Sequence, residues 1–247
     1  MTCFPEKLAL CTGFALVCTP LAAQESDWSF DATIYLFAAE TKTSMDTRFG
    51  EVESTLSFSD ALSDLDFAFM GAFSACNGRW SILADYMYTD LSTSDGTPGP
   101  VFSGVNTTAT TQILNGYVAY RVYEADDVKL DAAAGFRWFG TKTTFVLDPG
   151  VASERSTSVD DNWIDPVIGA RAQFRMSDRW AGTAFVDYGG FSSGNETWQV
   201  LLTADYALND RWLLRGGYRY ITVDHKIDGN DFRFSQSGPV FGATYQF

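Results

Sequence analysis

The feature that most constrains the fold of this chain is an alternation of apolar and polar residues between positions 198 and 223. An alternation with a period of two is typical of β-strands whose two faces meet different surroundings. The turn Asn209-Asp210-Arg211 divides the stretch into two such strands. One face is apolar and has aromatic rings near its ends: Trp198, Val200, Leu202, Ala204, Tyr206 and Leu208, then Trp212, Leu214, Gly216, Tyr218 and Tyr220. The other face carries Gln199, Thr203 and Asp205, then Arg215, Gly217 and Arg219.

This combination of faces indicates a transmembrane β-barrel, in which apolar side chains meet lipid and polar side chains line the lumen. A soluble sandwich is the alternative that one hairpin leaves open. The pattern recurs along the chain, however, and predicts ten strands: 28–40, 65–76, 79–91, 107–122, 128–141, 163–176, 179–189, 198–208, 212–223 and 232–247. Short turns after the even-numbered strands and longer connections after the first, third and fifth agree with an outer-membrane arrangement. We therefore expect an all-β, ten-stranded antiparallel barrel, with eight strands as the alternative.

Two turns predict the register of their hairpins. Asn77-Gly78 is a strong signal for a two-residue turn, and it predicts that Ala75 lies opposite Trp80. The three-residue turn at 209–211 aligns Leu208 with Trp212 and places Asp205 opposite Arg215. An error of one residue in either register would move every side chain to the other face.

Length and charge narrow the class of protein. The chain has 247 residues and a net charge of −14, which argues against nucleic acid as a partner because a phosphate backbone requires a basic surface. No apolar run is long enough for a spanning helix. Residues 1–23 resemble an export signal, so 24–247 would form the barrel domain. Cys76 would then be the single cysteine of the exported chain and could form no internal disulfide.

At three places the dipeptide Arg-Trp stands just after a short turn: Arg79-Trp80, Arg179-Trp180 and Arg211-Trp212. Such tryptophans suit the aromatic belt at a membrane surface, where amphipathic side chains anchor. The last strand ends in alternating aromatic residues, a pattern by which the assembly machinery of the outer membrane recognises barrels. We expect the belt to contain Trp80, Trp180, Trp212, Tyr245 and Phe247. The expected partners are the lipid bilayer, lipopolysaccharide and that assembly machinery.

Several longer phrases add a family resemblance. The segments LDFAFMGAF…GRWSILADYMYTDL, WIDPVIGAR, SDRWAGTAFVDYGGF, GYRYITVDH and SQSGPVFGATYQF resemble a group of proteobacterial outer-membrane barrel proteins within the porin-like, OmpA-type superfamily. The resemblance spans nearly all of the exported chain. It implies the barrel fold and an outer-membrane location, and it brings no activity with it.

The polar faces of the strands contain the candidate site residues. We expect a lumen-lining network formed by Asp85, Arg137, Asp165, Arg171, Asp187, Asp205, Arg215 and Arg219. Our preferred interpretation is that ion pairs and hydrogen bonds fill a narrow barrel, because unpaired charge is costly away from water. The alternative is a small pore whose charges select ions. A structural or narrow-pore envelope protein without catalysis and without a cofactor is therefore the leading function.

Two other functions stay open. One is surface binding or adhesion through the loops 41–63, 92–106 and 142–162. The other is an outer-membrane hydrolase that uses His225, the single histidine. The omptin-type proteases pair an Asp-x-His with an Asp-x-Asp; this chain has no Asp-x-His, and its one Asp-x-Asp is Asp64-Leu65-Asp66. Asp224 precedes His225 directly, so the two side chains should point to opposite faces of a strand.

One loop segment is less polar than the others. Ser59 is the predicted N-cap of a short helix in it. Because Phe58 and Leu62 would otherwise be exposed, we expect residues 57–65 either to fold inward as a partial plug or to pack on the barrel rim.

Overall fold

The fold is known from a computed structural model that describes residues 28–47, 50–97, 100–227 and 229–247. The predicted export signal, 1–23, lies outside the described residues. Within those residues the elements are twelve strands and one short helix. Their bounds are β1 Trp28–Phe37, β2 Glu40–Thr47, β3 Gly50–Leu56, α1 Phe58–Ser63, β4 Leu65–Asn77, β5 Trp80–Gly96, β6 Phe102–Glu124, β7 Val128–Pro149, β8 Arg155–Arg175, β9 Trp180–Ser192, β10 Asn195–Ala207, β11 Trp212–Ile227 and β12 Asn230–Gln246. Among the described residues, no helix is long and apolar enough to cross a membrane.

Ten of the strands form a closed antiparallel ring. Their order is β1-β4-β5-β6-β7-β8-β9-β10-β11-β12, and the pairing of β1 with β12 closes it. Closure leaves no unpaired edge within the ring. Cys76, the cysteine among the described residues, is free. The all-β antiparallel arrangement is confirmed; the ring contains ten strands, as predicted, and the described residues contain two strands more, β2 and β3.

The strands have an apolar outer face and a polar inner face, the reverse of a soluble sandwich. Outward side chains such as Ile34, Ile164 and Leu202 are more than half exposed although they are apolar. Inward neighbours such as Thr33, Asp165 and Thr203 are buried although they are polar. A water-soluble surface does not normally expose so large a contiguous apolar band. The two faces predicted for residues 198–223 are confirmed.

Three of the predicted loops are largely strand, and this part of the prediction was wrong. The β5–β6 ladder continues to the pair Gly96–Gly104, and the β7–β8 ladder continues to the pair Leu147–Arg155. These stretches are rich in Ser and Thr, so they lack the apolar alternation that is seen in the parts of the strands near the short turns. Alternation indicates one buried or lipid-facing side, whereas backbone pairing continues without it. We call the end of the ring that carries the pairs Gly96–Gly104 and Leu147–Arg155 the hairpin end, and the opposite end the short-turn end.

The third of these regions, 41–63, contains strands that the sequence did not predict. β1 stops at Phe37, and β2 continues along the same partner strand, β12. The amide of Ala38 still donates to the carbonyl oxygen of Pro239 at 2.9 Å, so the ladder is bent here and not broken. β3 then folds back on β2 and adds a twelfth strand to the sheet beyond the ring.

The turn between β4 and β5 differs from its prediction. Asn77 pairs with Trp80, so Gly78 and Arg79 form the turn and each strand partner moves by two residues. Gly78 has φ +55°, which suits the first central position of a type II′ turn, while the predicted type would also require a positive φ at Asn77. A shift of two residues keeps each side chain on its predicted face. Ala75 consequently lies opposite Ile82.

The other predicted register is confirmed, because Asp205 lies opposite Arg215. The helix prediction needs a correction. Its N-cap is Ser57, not Ser59, because the Ser57 hydroxyl accepts a hydrogen bond from the amide of Asp60 at 3.2 Å. No residue of α1 is buried and Leu62 is 56% exposed, so the plug hypothesis is wrong. The helix lies on the rim, where the carbonyl of Asp64 accepts from the amide of Ser92.

Candidate functional site

The interior of the ring is organised around Arg137, which projects from the middle of β7. Its side chain is 0% exposed. It donates to Asn115 at 2.7 Å, to Thr197 at 2.5 Å and to both carboxylate oxygens of Asp187 at 2.9 Å. Asp187 belongs to β9, which is separated from β7 by β8. The ion pair therefore bridges strands that are not neighbours.

A second arginine, Arg219 of β11, holds the other half of the interior. It donates to Asp85 at 2.7 Å and to the hydroxyl of Tyr35 at 3.0 Å. Gln199 accepts from Arg219 at 2.8 Å and donates to Asp187, so it joins the two arginine clusters. The whole set forms one hydrogen-bonded unit, which we call the central network: Tyr35, Asp85, Asn115, Tyr117, Arg137, Asp187, Thr197, Gln199 and Arg219. Its two arginines and two aspartates balance in charge, as a water-poor site requires.

An apolar layer lies on the hairpin side of the central network. Phe139 follows Arg137 on the inner face of β7, and Ile221 and Val223 follow Arg219 on the inner face of β11. These three side chains are at most 1% exposed. They pack with further buried side chains into one cluster: Phe37, Met70, Met87, Ile113, Phe232, Phe234 and Val240. The ring is thus filled by two successive layers, one polar and one apolar.

The short-turn end of the interior is looser. Asp131 accepts from Arg121 at 2.9 Å and from Arg171 at 2.7 Å. Asp205 pairs with Arg215 at 2.6 Å, and that arginine is 26% exposed. A cavity of about 190 Å³ separates these pairs from the central network, and Asp31, Arg171, Arg215 and Arg219 are among its lining residues. Polar groups here retain room for water.

Asp165 and His225 lie apart from the central network. Asp165 accepts a hydrogen bond from the indole of Trp163 at 3.1 Å. The Trp163 ring stacks on His225 with the ring centres 4.0 Å apart. Asp224 instead accepts from Arg233 at 3.0 Å on the opposite face of the strand, and the Nδ1 atom of His225 has no hydrogen-bond partner among the described residues. Asp224 therefore does not orient His225, as the spacing of the two residues predicts.

The predicted site residues therefore separate into groups. Asp85, Arg137, Asp187 and Arg219 meet in the central network. Arg171, Asp205 and Arg215 lie at the short-turn end, and Asp165 stands alone beside Trp163. The residues that complete the central network were not among the predicted site: Tyr35, Asn115, Tyr117, Thr197 and Gln199. All five occupy inward positions of their strands, so parity along each strand is the signal that would have found them.

The predicted aromatic belt lies on the outer surface beside the short turns. The tryptophans of the three Arg-Trp dipeptides beside short turns each pack on the tyrosine directly opposite: Trp80 on Tyr120, Trp180 on Tyr206 and Trp212 on Tyr245, at 4.8 to 5.0 Å between ring centres. In two of the three pairs the preceding arginine also donates to that tyrosine's hydroxyl at 3.3 Å. Phe247 packs on Tyr245 at the chain terminus. The sequence repeat therefore reflects a repeated Trp–Tyr contact between neighbouring strands, which an arginine completes in two of the three cases.

Solved structures with a similar fold are outer-membrane proteins. The outer-membrane protease OmpT of Escherichia coli is 12% identical, with 90% of this chain and 98% of that chain covered and a TM-score of 0.59. Ail of Yersinia pestis, in complex with the heparin analogue sucrose octasulfate, is 12% identical over 89% and 98% of the two chains with a TM-score of 0.41. The toluene transporter TodX of P. putida is 11% identical over 89% of both chains with a TM-score of 0.38. No family model and no curated protein sequence matches this chain. The likeness to OmpT shows that the chain has the fold of an outer-membrane β-barrel.

Proposed function

We propose that this protein is a non-conducting structural barrel of the outer membrane without catalytic activity. The observation that carries the proposal is the filled interior. Arg137 and Arg219 are at most 2% exposed within the central network, and the apolar layer covers that network on its hairpin side. Ions cannot follow a path that buried aromatic and aliphatic side chains occupy, because a charge in such surroundings is strongly destabilised.

The outer surface supports placement in a lipid bilayer. Exposed apolar side chains surround the ring, and the Trp–Tyr contacts mark its short-turn boundary. We propose that this belt faces the periplasm, that lipopolysaccharide surrounds the hairpin end, and that the C-terminal strand, β12, carries the assembly signal. The arrangement of short and long connections agrees with that orientation.

Conductance in planar bilayers tests the proposal. Purified protein should insert without producing discrete current steps at any voltage, while a wide porin in the same lipid serves as the positive control. Stable current steps that depend on the presence of the protein would contradict the non-conducting assignment and favour the narrow-pore alternative.

Cysteine labelling in intact cells tests location and orientation. In a Cys76→Ser background, Ser156→Cys at the hairpin end should react with a maleimide that cannot cross the outer membrane. The matched variant Asp178→Cys, in a short turn, should react only after the membrane is permeabilised. Equal labelling of the two positions in intact cells would rule out the proposed orientation.

A second candidate function is binding at the cell surface. The observation that favours it is that the predicted loops are paired strands: β5–β6 and β7–β8 continue well past the alternating, lipid-facing part of the chain. A paired hairpin presents a more rigid surface than a loop, which lowers the entropy cost of binding. Hydrolysis through His225 is not favoured, because Asp224 is directed to Arg233.

A further inference from the structure

The sheet has one edge that the ring does not remove. β3 is the last strand in the order of the twelve-stranded sheet, and among the described residues it pairs only with β2. Its residues from Glu51 to Thr55 are exposed. A strand at a sheet edge presents backbone amide and carbonyl groups in register for another strand. The hairpin end therefore has an edge strand to which a further strand could pair.

The strand across from this edge is also incomplete. β4 pairs with β5 only as far as the pair Leu65–Leu91. Beyond it, Thr93 to Gly96 of β5 pair with β6 alone among the described residues. The chain between the two edges is α1, which remains on the rim without a buried residue. The wall of the sheet is thus interrupted between β3 and the upper part of β5.

β3 and the chain that follows it are acidic, and the lysine opposite Thr55 on β2, Lys42, is paired with Glu40 at 3.1 Å. From Gly50 to Gly78 the chain contains no lysine and no arginine, and its acidic residues are Glu51, Glu53, Asp60, Asp64 and Asp66. Asp90 and Asp95 add two more on β5. Edge strands are often protected from pairing by lysine or proline, and β3 contains neither. The edge is therefore open to a strand of positive charge and repels an acidic one.

We propose that β3 binds an extended, basic segment of a partner protein as an added β-strand. Backbone hydrogen bonds to β3 supply the affinity, and lysine or arginine side chains opposite Glu51 and Glu53 supply the selectivity. The inference builds on the surface-binding function proposed above. Only the side of the membrane from which the partner approaches depends on the proposed orientation. Binding to the purified protein does not depend on that orientation.

Peptide binding to the purified full-length protein in micelles tests the proposal. The probe is a fluorescent seven-residue peptide of alternating Lys and Val, the length of β3, followed by anisotropy. A matched peptide with Pro in place of every Val keeps the charge and loses the amide donors at those positions. We expect saturable binding of the first peptide and binding of the second that is at least about tenfold weaker. Equal binding of both, or no saturation of the first up to about 1 mM, would overturn the proposal.

Variants and amide exchange locate the site. Glu51→Lys/Glu53→Lys should weaken binding at least about tenfold, whereas Glu154→Lys/Asp160→Lys, on the β7–β8 hairpin, should change it less than about threefold. The pair Glu51→Gln/Glu53→Gln gives the same test with smaller disturbance if the lysine variant does not fold. Bound peptide should also slow hydrogen exchange of β3 amides and leave β8 unchanged. Slowed exchange of other amides without slowed exchange of the β3 amides would refute the site. That result would be independent of the conductance measurements, which test the non-conducting barrel.

Discussion

Two arginine–aspartate pairs inside the ring have the same chemistry and very different surroundings. Arg137 and Asp187 are both 0% exposed and join β7 to β9 across an intervening strand. Arg215 and Asp205 are 26% and 7% exposed and lie directly opposite each other on β11 and β10. The first pair is built into the central network, whereas Arg215 of the second pair lines the cavity.

The difference shows what burial does to an ion pair. A charge in the central network that loses its partner cannot recruit water, so its desolvation is no longer compensated. A charge beside the cavity can be solvated when its partner is removed. The central network should therefore determine stability, while the pair at the short-turn end should contribute modestly.

The largest effect is expected for Arg137→Met. It leaves Asp187 buried with only the neutral donors Tyr117 and Gln199, so the free energy of unfolding should fall by about 3–5 kcal/mol. Urea unfolding in micelles, followed by tryptophan fluorescence, measures it. The double variant Arg137→Met/Asp187→Leu should recover most of the loss, because no unpaired charge is left. A single variant as stable as the original protein would remove the distinction between the two pairs.

An intermediate effect is expected at Gly217, which lies between Arg215 and Arg219 on the inner face of β11. A Cβ atom there would collide with the carbonyl oxygen of Leu202. Gly217→Val should therefore lower the free energy of unfolding by about 1–3 kcal/mol, as overpacking does elsewhere. The adjacent Gly216 is the matched control, because nothing lies within 4 Å of an added Cβ. If Gly216→Val is the more damaging of the two, the inner and outer faces have been assigned wrongly.

The smallest effect is expected for Asp205→Asn. The charge that it leaves without a partner, Arg215, is 26% exposed and lines the cavity, so the substitution should cost about 1 kcal/mol or less in unfolding free energy. A double-mutant cycle with Arg215→Gln should give a coupling energy of similar size, well below that of Arg137 with Asp187. Couplings of equal size would mean that burial does not separate the two pairs and that the cavity holds no solvating water.

The sequence predicted best where a strand has two unlike faces. Residues 198–223 show the clearest alternation, and their faces and register are confirmed. Residues 92–106 and 142–162 are paired strands in large part, but both of their faces are polar, so the same signal is absent. β2 and β3 were missed for this reason too. At the Gly78 turn the predicted faces were right and the predicted strand partners were wrong. Asn-Gly can supply both central residues of a two-residue turn, but here the central residues are Gly78 and Arg79.

The contacts of the candidate site also separate into those that the sequence predicts and those that it does not. The sequence by itself determined the ten strands of the ring, the inward position of the predicted site residues and the contact of Asp205 with Arg215, because hairpin register is a local property of turn and pattern. Only the tertiary structure decided that Arg137 reaches Asp187 and that Arg219 reaches Asp85, since these contacts cross the interior between strands that do not pair. They depend on ring closure and strand stagger, which no single hairpin encodes.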